Sequence, residues 1–184
     1  MKNRSWSSLA SKIESLPQND LAALIKDLYD LSSDNRDFVT ARILASGNAA
    51  GSIVLDGYRE RVEKAFYPMR GGFRRPKLTD GRKAISDYRK AVGDNAGLAE
   101  LMITYVESGV RFTNEFGEID EGFYNSIEAV MENLCKLLLA EGKELYFRLE
   151  ERIRSLRDDT SHIGWGFGDY MADQVAMLEN NFAK

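Results

Sequence analysis

A single cysteine, Cys135, and a single histidine, His162, remove two large classes of chemistry from this chain. One thiol cannot close an intramolecular disulfide, so the fold owes nothing to cross-linking and a reducing compartment is the simpler expectation. One histidine and one cysteine also fall short of the usual zinc sets, which draw two to four ligands from those residue types. Neither a metal nor a cofactor is expected. The three prolines, Pro17, Pro68 and Pro76, leave long stretches free of the residue that breaks helices. No stretch approaches the roughly 20 apolar residues of a membrane span, and no membrane partner is expected. No apolar run of signal-peptide length follows the positive charges of Met1-Lys2-Asn3-Arg4-Ser5-Trp6. By elimination, the expected location is cytoplasmic. Phosphate-loop and dinucleotide glycine patterns, paired-carboxylate glycosidase spacing and kinase signatures are absent too.

What is present is ordinary for a folded domain: 43% hydrophobic and 29% charged residues in a chain of 184. At this length a chain buries roughly two-thirds of its unfolded surface, and the expectation is one domain spanning residues 1–184. The net charge of -4 hides a polarity. Residues 59–90 hold eleven basic and four acidic side chains, whereas residues 94–184 hold eight basic and eighteen acidic ones. Such a split provides either an attractive internal interface or two surfaces for different partners.

Apolar residues recur at three- and four-residue steps through nine segments, which predicts an all-α fold. Leu9, Ile13 and Leu16 mark the first helix, ended by Pro17; Leu21, Leu24, Ile25, Leu28 and Leu31 mark the second, with Asn19 as its cap. Phe38 and Ala41 lead a third that stops at Ser46-Gly47-Asn48, and Tyr58, Val62 and Phe66 a fourth that ends before Pro68 and Gly71-Gly72. Thr79 is the expected cap of a fifth, carrying Ile85, Tyr88 and Val92. A sixth holds Leu98, Leu101, Met102, Tyr105, Val106 and Gly109 on one side, and a seventh, after Gly117, holds Phe123, Ile127, Val130, Leu134, Leu137 and Leu138. Beyond Gly142 come an eighth with Leu145, Leu149, Ile153 and Leu156, and a ninth with Met171, Val175, Leu178 and Phe182. Ile53-Val54-Leu55, the one β-branched aliphatic run, fits a helical stripe equally well. Short links between amphipathic helices favour antiparallel neighbours, so the expected architecture is a stack of helical hairpins, either a bundle or a short superhelix.

Several short pieces carry a family resemblance: Leu24-Ile25-Lys26-Asp27-Leu28-Tyr29, Ala65-Phe66-Tyr67-Pro68, and Tyr105-Val106-Glu107-Ser108-Gly109-Val110. To these are added Gly117-Glu118-Ile119-Asp120 with Phe123-Tyr124, and the run from Asp159-Thr160 to Gly164-Trp165-Gly166-Phe167. Together they resemble an uncharacterised bacterial family of small all-helical proteins, a domain of unknown function. The resemblance implies a helical fold and brings no activity or site residue with it.

Two loops carry the candidate chemistry. Residues 67–83 combine Arg70, Arg74, Arg75, Lys77 and Arg82 with flexible glycines and Phe73, the ingredients that grip anions and stack on bases. A helix starting beside them adds backbone amides and the positive end of its dipole. The bland alternative is a solvated face or an internal ion-pair role. Residues 158–169 hold Asp159, His162 and Trp165 among three glycines. A histidine beside aspartates can act as a general base, although such a loop more commonly plugs the end of a bundle with its aromatic rings. Four carboxylates between Glu115 and Glu121 read as an acidic first turn favouring a helix dipole, and Cys135 as a small buried hydrophobe.

The leading functional expectation is a non-catalytic helical interaction or regulatory module that presents its basic patch to an acidic segment of a protein partner. A phosphate or nucleic-acid binder using loop 67–83 comes second, although a pI near 5.2 differs from the basic character of dedicated nucleic-acid domains. An enzyme centred on loop 158–169 is third. The opposed charge fields also suit a homodimer in which each basic loop faces its partner's acidic helices.

Overall fold

The computed structural model describes residues 5–44, 50–67 and 74–182. Among them lie nine helices and no strand: α1 (Trp6–Glu14), α2 (Gln18–Leu31), α3 (Ser33–Leu44), α4 (Ala50–Phe66), α5 (Leu78–Ala91), α6 (Asn95–Phe116), α7 (Glu121–Glu141), α8 (Lys143–Thr160) and α9 (Phe167–Phe182). The chain is all-α. Successive helices pair as α2 with α3, α4 with α5, α6 with α7 and α8 with α9. Each pair then packs on the next, through α3 on α5, α4 on α6, and α6 on α8 together with α7 on α9. This is the expected stack of hairpins.

The centre is α6. Fourteen of its 22 residues are buried, far more than one amphipathic stripe supplies, because α4, α5, α7 and α8 all lie against it. A helix enclosed this way reads as apolar nearly all round. Asp94 starts it by accepting from the amides of Ala96 and Gly97 at 3.0 and 2.9 Å, and Asp120 does the same for α7 through the amide of Phe123. Rings then lock the layers together: Phe66 of α4 meets Tyr105 of α6 and Phe123 of α7 edge-on, and Tyr124 of α7 meets Phe167 of α9. Each such pair adds about 1 kcal/mol beyond its buried area. Cys135 sits in this core, where burial pushes its thiol up to about 12. Gly109 lets α7 come close, since a methyl group there would lie 2.3 Å from Cδ1 of the buried Ile127.

Polar ties supplement the core at the α6–α8 seam. Arg152 of α8 donates to Glu107 at 2.8 and 2.6 Å, to Glu100 at 2.6 Å and to Thr104 at 3.1 Å. Hydrogen bonding to Glu107 raises the guanidinium's affinity for its proton further, so this charge is fully committed to holding two helices together.

Helices α1 and α2 differ from the rest: neither has a buried residue, and α3 contributes just Ala41 to the core. Helices α2 and α3 pair as an arm that meets the body through α3, against α4 and α5.

Several boundaries differ from the sequence-based expectation. The Asn19 side chain does not cap α2; the helix begins one residue earlier, and Pro17 occupies the cap position without a side-chain bond. Proline fits there because its fixed φ suits a helix entrance and it has no amide to satisfy. Thr79 likewise lies inside α5, whose cap position belongs to Lys77. The break at Ser46-Gly47-Asn48 falls outside the described residues. Loop 158–169 is shorter than expected, because α8 runs to Thr160 and α9 starts at Phe167. Gly168 explains how so short a turn fits: a Cβ there would stand 2.6 Å from the Thr160 carbonyl oxygen and 3.1 Å from that of Ile163. Gly168→Ala forces a methyl group against main-chain carbonyl oxygens that cannot easily give way, and the expected loss is about 2 kcal/mol. A lower urea midpoint with an unchanged far-ultraviolet circular dichroism spectrum of the folded protein is the outcome that checks it.

Candidate functional site

The segment after α4 is anchored before it turns into α5. Pro76 is buried, and the Lys77 amide donates to the Ala65 carbonyl at 2.7 Å, which pins the chain across the end of α4. Arg74, Arg75 and Lys77 therefore project from a fixed strap rather than from a free loop. The Lys77 carbonyl accepts from the amides of Asp80 and Gly81, but no side chain caps the start of α5.

Beneath the strap lies a cavity of about 450 Å³ lined by Asp34 of α3, Arg61, Lys64 and Ala65 of α4, Arg74, Arg75 and Lys77 of the strap, and Asp80 and Lys83 of α5. Among the described residues of this lining, six cations face two carboxylates. Helical spacing explains the selection: Asp80, Lys83 and Asp87 share one face of α5, as Arg61 and Lys64 do on α4. Asp87, half-hidden behind the wall, accepts from Arg61 Nη2 and Lys83 Nζ, both at 2.9 Å, and Lys83 also reaches Asp34 at 3.0 Å. Arg61 lies 3.8 Å from Asp37 and stacks over the Tyr58 ring. Burial by itself raises the Asp87 carboxyl pKa; the bonds from Lys83 and Arg61 outweigh it and hold the group below its ordinary value. The bonds that Lys83 donates to Asp87, then to Asp34, raise its own pKa.

The other cations are less engaged. Arg75 pairs with Asp120 at 2.6 Å, so it also tethers the strap to the start of α7. Lys64 pairs with Glu60 one turn back. Among the described residues, no ion pair joins Arg74 or Lys77 to a carboxylate. The rim of the cavity thus holds uncompensated positive charge beside an uncapped helix start, an arrangement that favours anions.

Of the basic residues singled out from the sequence, Arg74, Arg75 and Lys77 come together here. Arg82 does not: it lies on another face of α5 and donates to Ser126 of α7, which also bonds the Tyr105 hydroxyl at 2.8 Å. Its guanidinium is thus turned toward α7 and does not line the cavity. Arg70 and Phe73 lie outside the described residues. Arg61, Lys83 and Asp34 were not singled out; the Lys83–Asp87 step of four was legible, but the approach of α3 was not.

The second loop is dispersed. His162 is exposed and lines none of the cavities described here. Asp159 borders a different cleft, of about 460 Å³ between α4, α6 and α8, where its carbonyl accepts from Asn114. That cleft balances Arg59, Arg111 and Arg152 against Glu63, Glu107 and Asp159. Trp165 is 67% exposed instead of plugging the bundle; Phe167 and Ile163 take that place. The indole nitrogen donates to Glu118 at 2.8 Å, and the Gly164 amide donates to the same carboxylate at 3.1 Å. Trp165 adopts a φ of 61°, uncommon for a bulky residue, and this bidentate grip holds it there. Glu118 and Asp120 therefore act as anchors for neighbouring segments.

No family model, no curated protein and no solved structure matches the chain. Roles in the cavity rest on charge, reach and burial. No helix among the described residues is long and apolar enough to cross a membrane.

Asp87 gives a pH test of this wall. A carboxyl whose folded pKa is depressed contributes stability above its unfolded value, near 3.8, and loses it as pH falls through the lower folded value. Asp87→Asn is expected to cost about 1 kcal/mol at neutral pH after allowance for solvent screening. The stability curves of variant and parent should converge below pH 3.8, as followed by urea titration at a series of pH values.

Proposed function

We infer that this chain is a non-catalytic binding module that holds a carboxylate-rich segment of a partner protein in the basic cavity between α3, α4 and α5. One observation carries the reading: among the described residues, six cations from three separate elements converge on one cavity against two carboxylates, with Arg74 and Lys77 in no ion pair there. A cluster made for internal stability ends with its charges matched, as the cleft around Arg152 does. Here positive charge remains, on exposed side chains that line a hollow.

A peptide suits the cavity better than a nucleic acid. Its described lining contains no aromatic ring on which a base would stack. The chain after residue 94 carries a strong negative charge, which opposes a long phosphate backbone. An acidic peptide needs just a local patch, and complementary charge speeds its encounter more than it tightens the complex.

Fluorescence anisotropy with a labelled oligo-glutamate peptide tests the reading. Binding should weaken steeply with salt, and the double variant Arg74→Ala/Lys77→Ala should lower affinity about tenfold. Arg75→Ala, whose guanidinium is partly committed to Asp120, should lower it less. Tighter binding of a single-stranded oligonucleotide of equal charge would transfer the cavity to nucleic acid, and no salt-dependent peptide binding would end the proposal.

A further inference from the structure

Large apolar side chains are unevenly exposed in this molecule. Of the fourteen exposed among the described residues, eleven fall between Trp6 and Ile53. That places them in and around the arm. Helix α2 has 14 residues and no buried one, although isolated helices of that length are marginal in water. Ile25 and Leu28 of its stripe line, with Phe38, Val39 and Ile43 of α3 and together with Asn35 and Arg42, a groove of about 380 Å³ bounded mostly by apolar atoms, and Leu24 and Leu31 of the same helix are also exposed. Neither the basic cavity nor the body covers it.

We propose that this face is the interface of a homodimer, covered by the same hairpin of a second copy. Area supports it: Ile25, Leu28, Phe38 and Ile43 are each more than two-fifths exposed along one groove, and two such faces with their polar rims are of the order of the roughly 1,200 Å² at which specific interfaces begin. Geometry supports it too. A helical hairpin is half of a four-helix bundle, and a two-fold axis supplies the missing half from an identical surface, with no second sequence to be matched. Charge argues against a lipid surface, because α2 and α3 together carry five aspartates and three basic residues, while membrane-lying helices are basic on their polar face. The dimer differs from one driven by the opposed charge fields, since its contact is apolar and leaves Arg74 and Lys77 free to bind.

Light scattering and sedimentation of the full chain decide the matter. The parent is expected to show twice the 20.8 kDa chain mass at concentrations of about 10 µM and above, an affinity in keeping with an interface at the small end of the range. The association should persist in about 0.5 M salt, where exposed charges are screened. Ile25→Asp/Phe38→Asp should weaken it by at least about 100-fold, the effect of burying unpaired charge. Circular dichroism of that variant should keep the parent's helical signal, because neither residue belongs to the core, and Ile43→Glu provides an independent substitution further along α3. A parent monomeric to about 100 µM, a dimer dissolved by salt, or a dimer indifferent to both sets of substitutions overturns the proposal.

Discussion

Enclosure of α6 on four sides is the constraint from which the other positions follow. Because its neighbours α4, α5, α7 and α8 each bury a face against it, their relative placement is fixed by side-chain volume, and close packing transmits that placement outward. The ends of α4 and α5 are held in this way, and residues 74–77 are tied to α4 through the Lys77–Ala65 bond. The hollow under the strap is therefore a consequence of helix packing, as is the set of side chains that reach into it.

Periodicity made most of this architecture legible. The stripe from Leu98 to Gly109 is buried where its spacing puts it, as is that from Phe123 to Leu138 except for the partly buried Leu137, and the hairpin order follows from short links. Caps were harder to read, because Thr79 and Asn19 have capping side chains but the neighbouring backbone, at Lys77 and Pro17, took the position. In the arm the same stripe was legible on α2, yet periodicity says which face is apolar and not whether anything lies against it.

The site was legible in part for a related reason. Charge density marked Arg74, Arg75 and Lys77, since three cations in four residues are visible in a linear reading. Arg82 belonged to the same run, but a helix turns about 100° per residue, and its side chain faces Ser126 instead. Asp34 and Arg61 come from helices distant in sequence, so their part in the cavity depends on tertiary packing. The glycine-rich turn after α8 shows the converse: its glycines did signal a close approach of backbone, at Gly168, whereas its indole found a carboxylate rather than the core.

Asp34 occupies a double position. It is the carboxylate through which α3 grips Lys83, and it also lines the hollow that Lys83 helps to make positive. It is thus a resident competitor for any incoming anion: a ligand that takes Lys83 must share it with Asp34 or displace that side chain. Occupancy of the hollow and seating of the arm then draw on a single ammonium group, and by reciprocity whatever steadies one adjusts the free energy of the other.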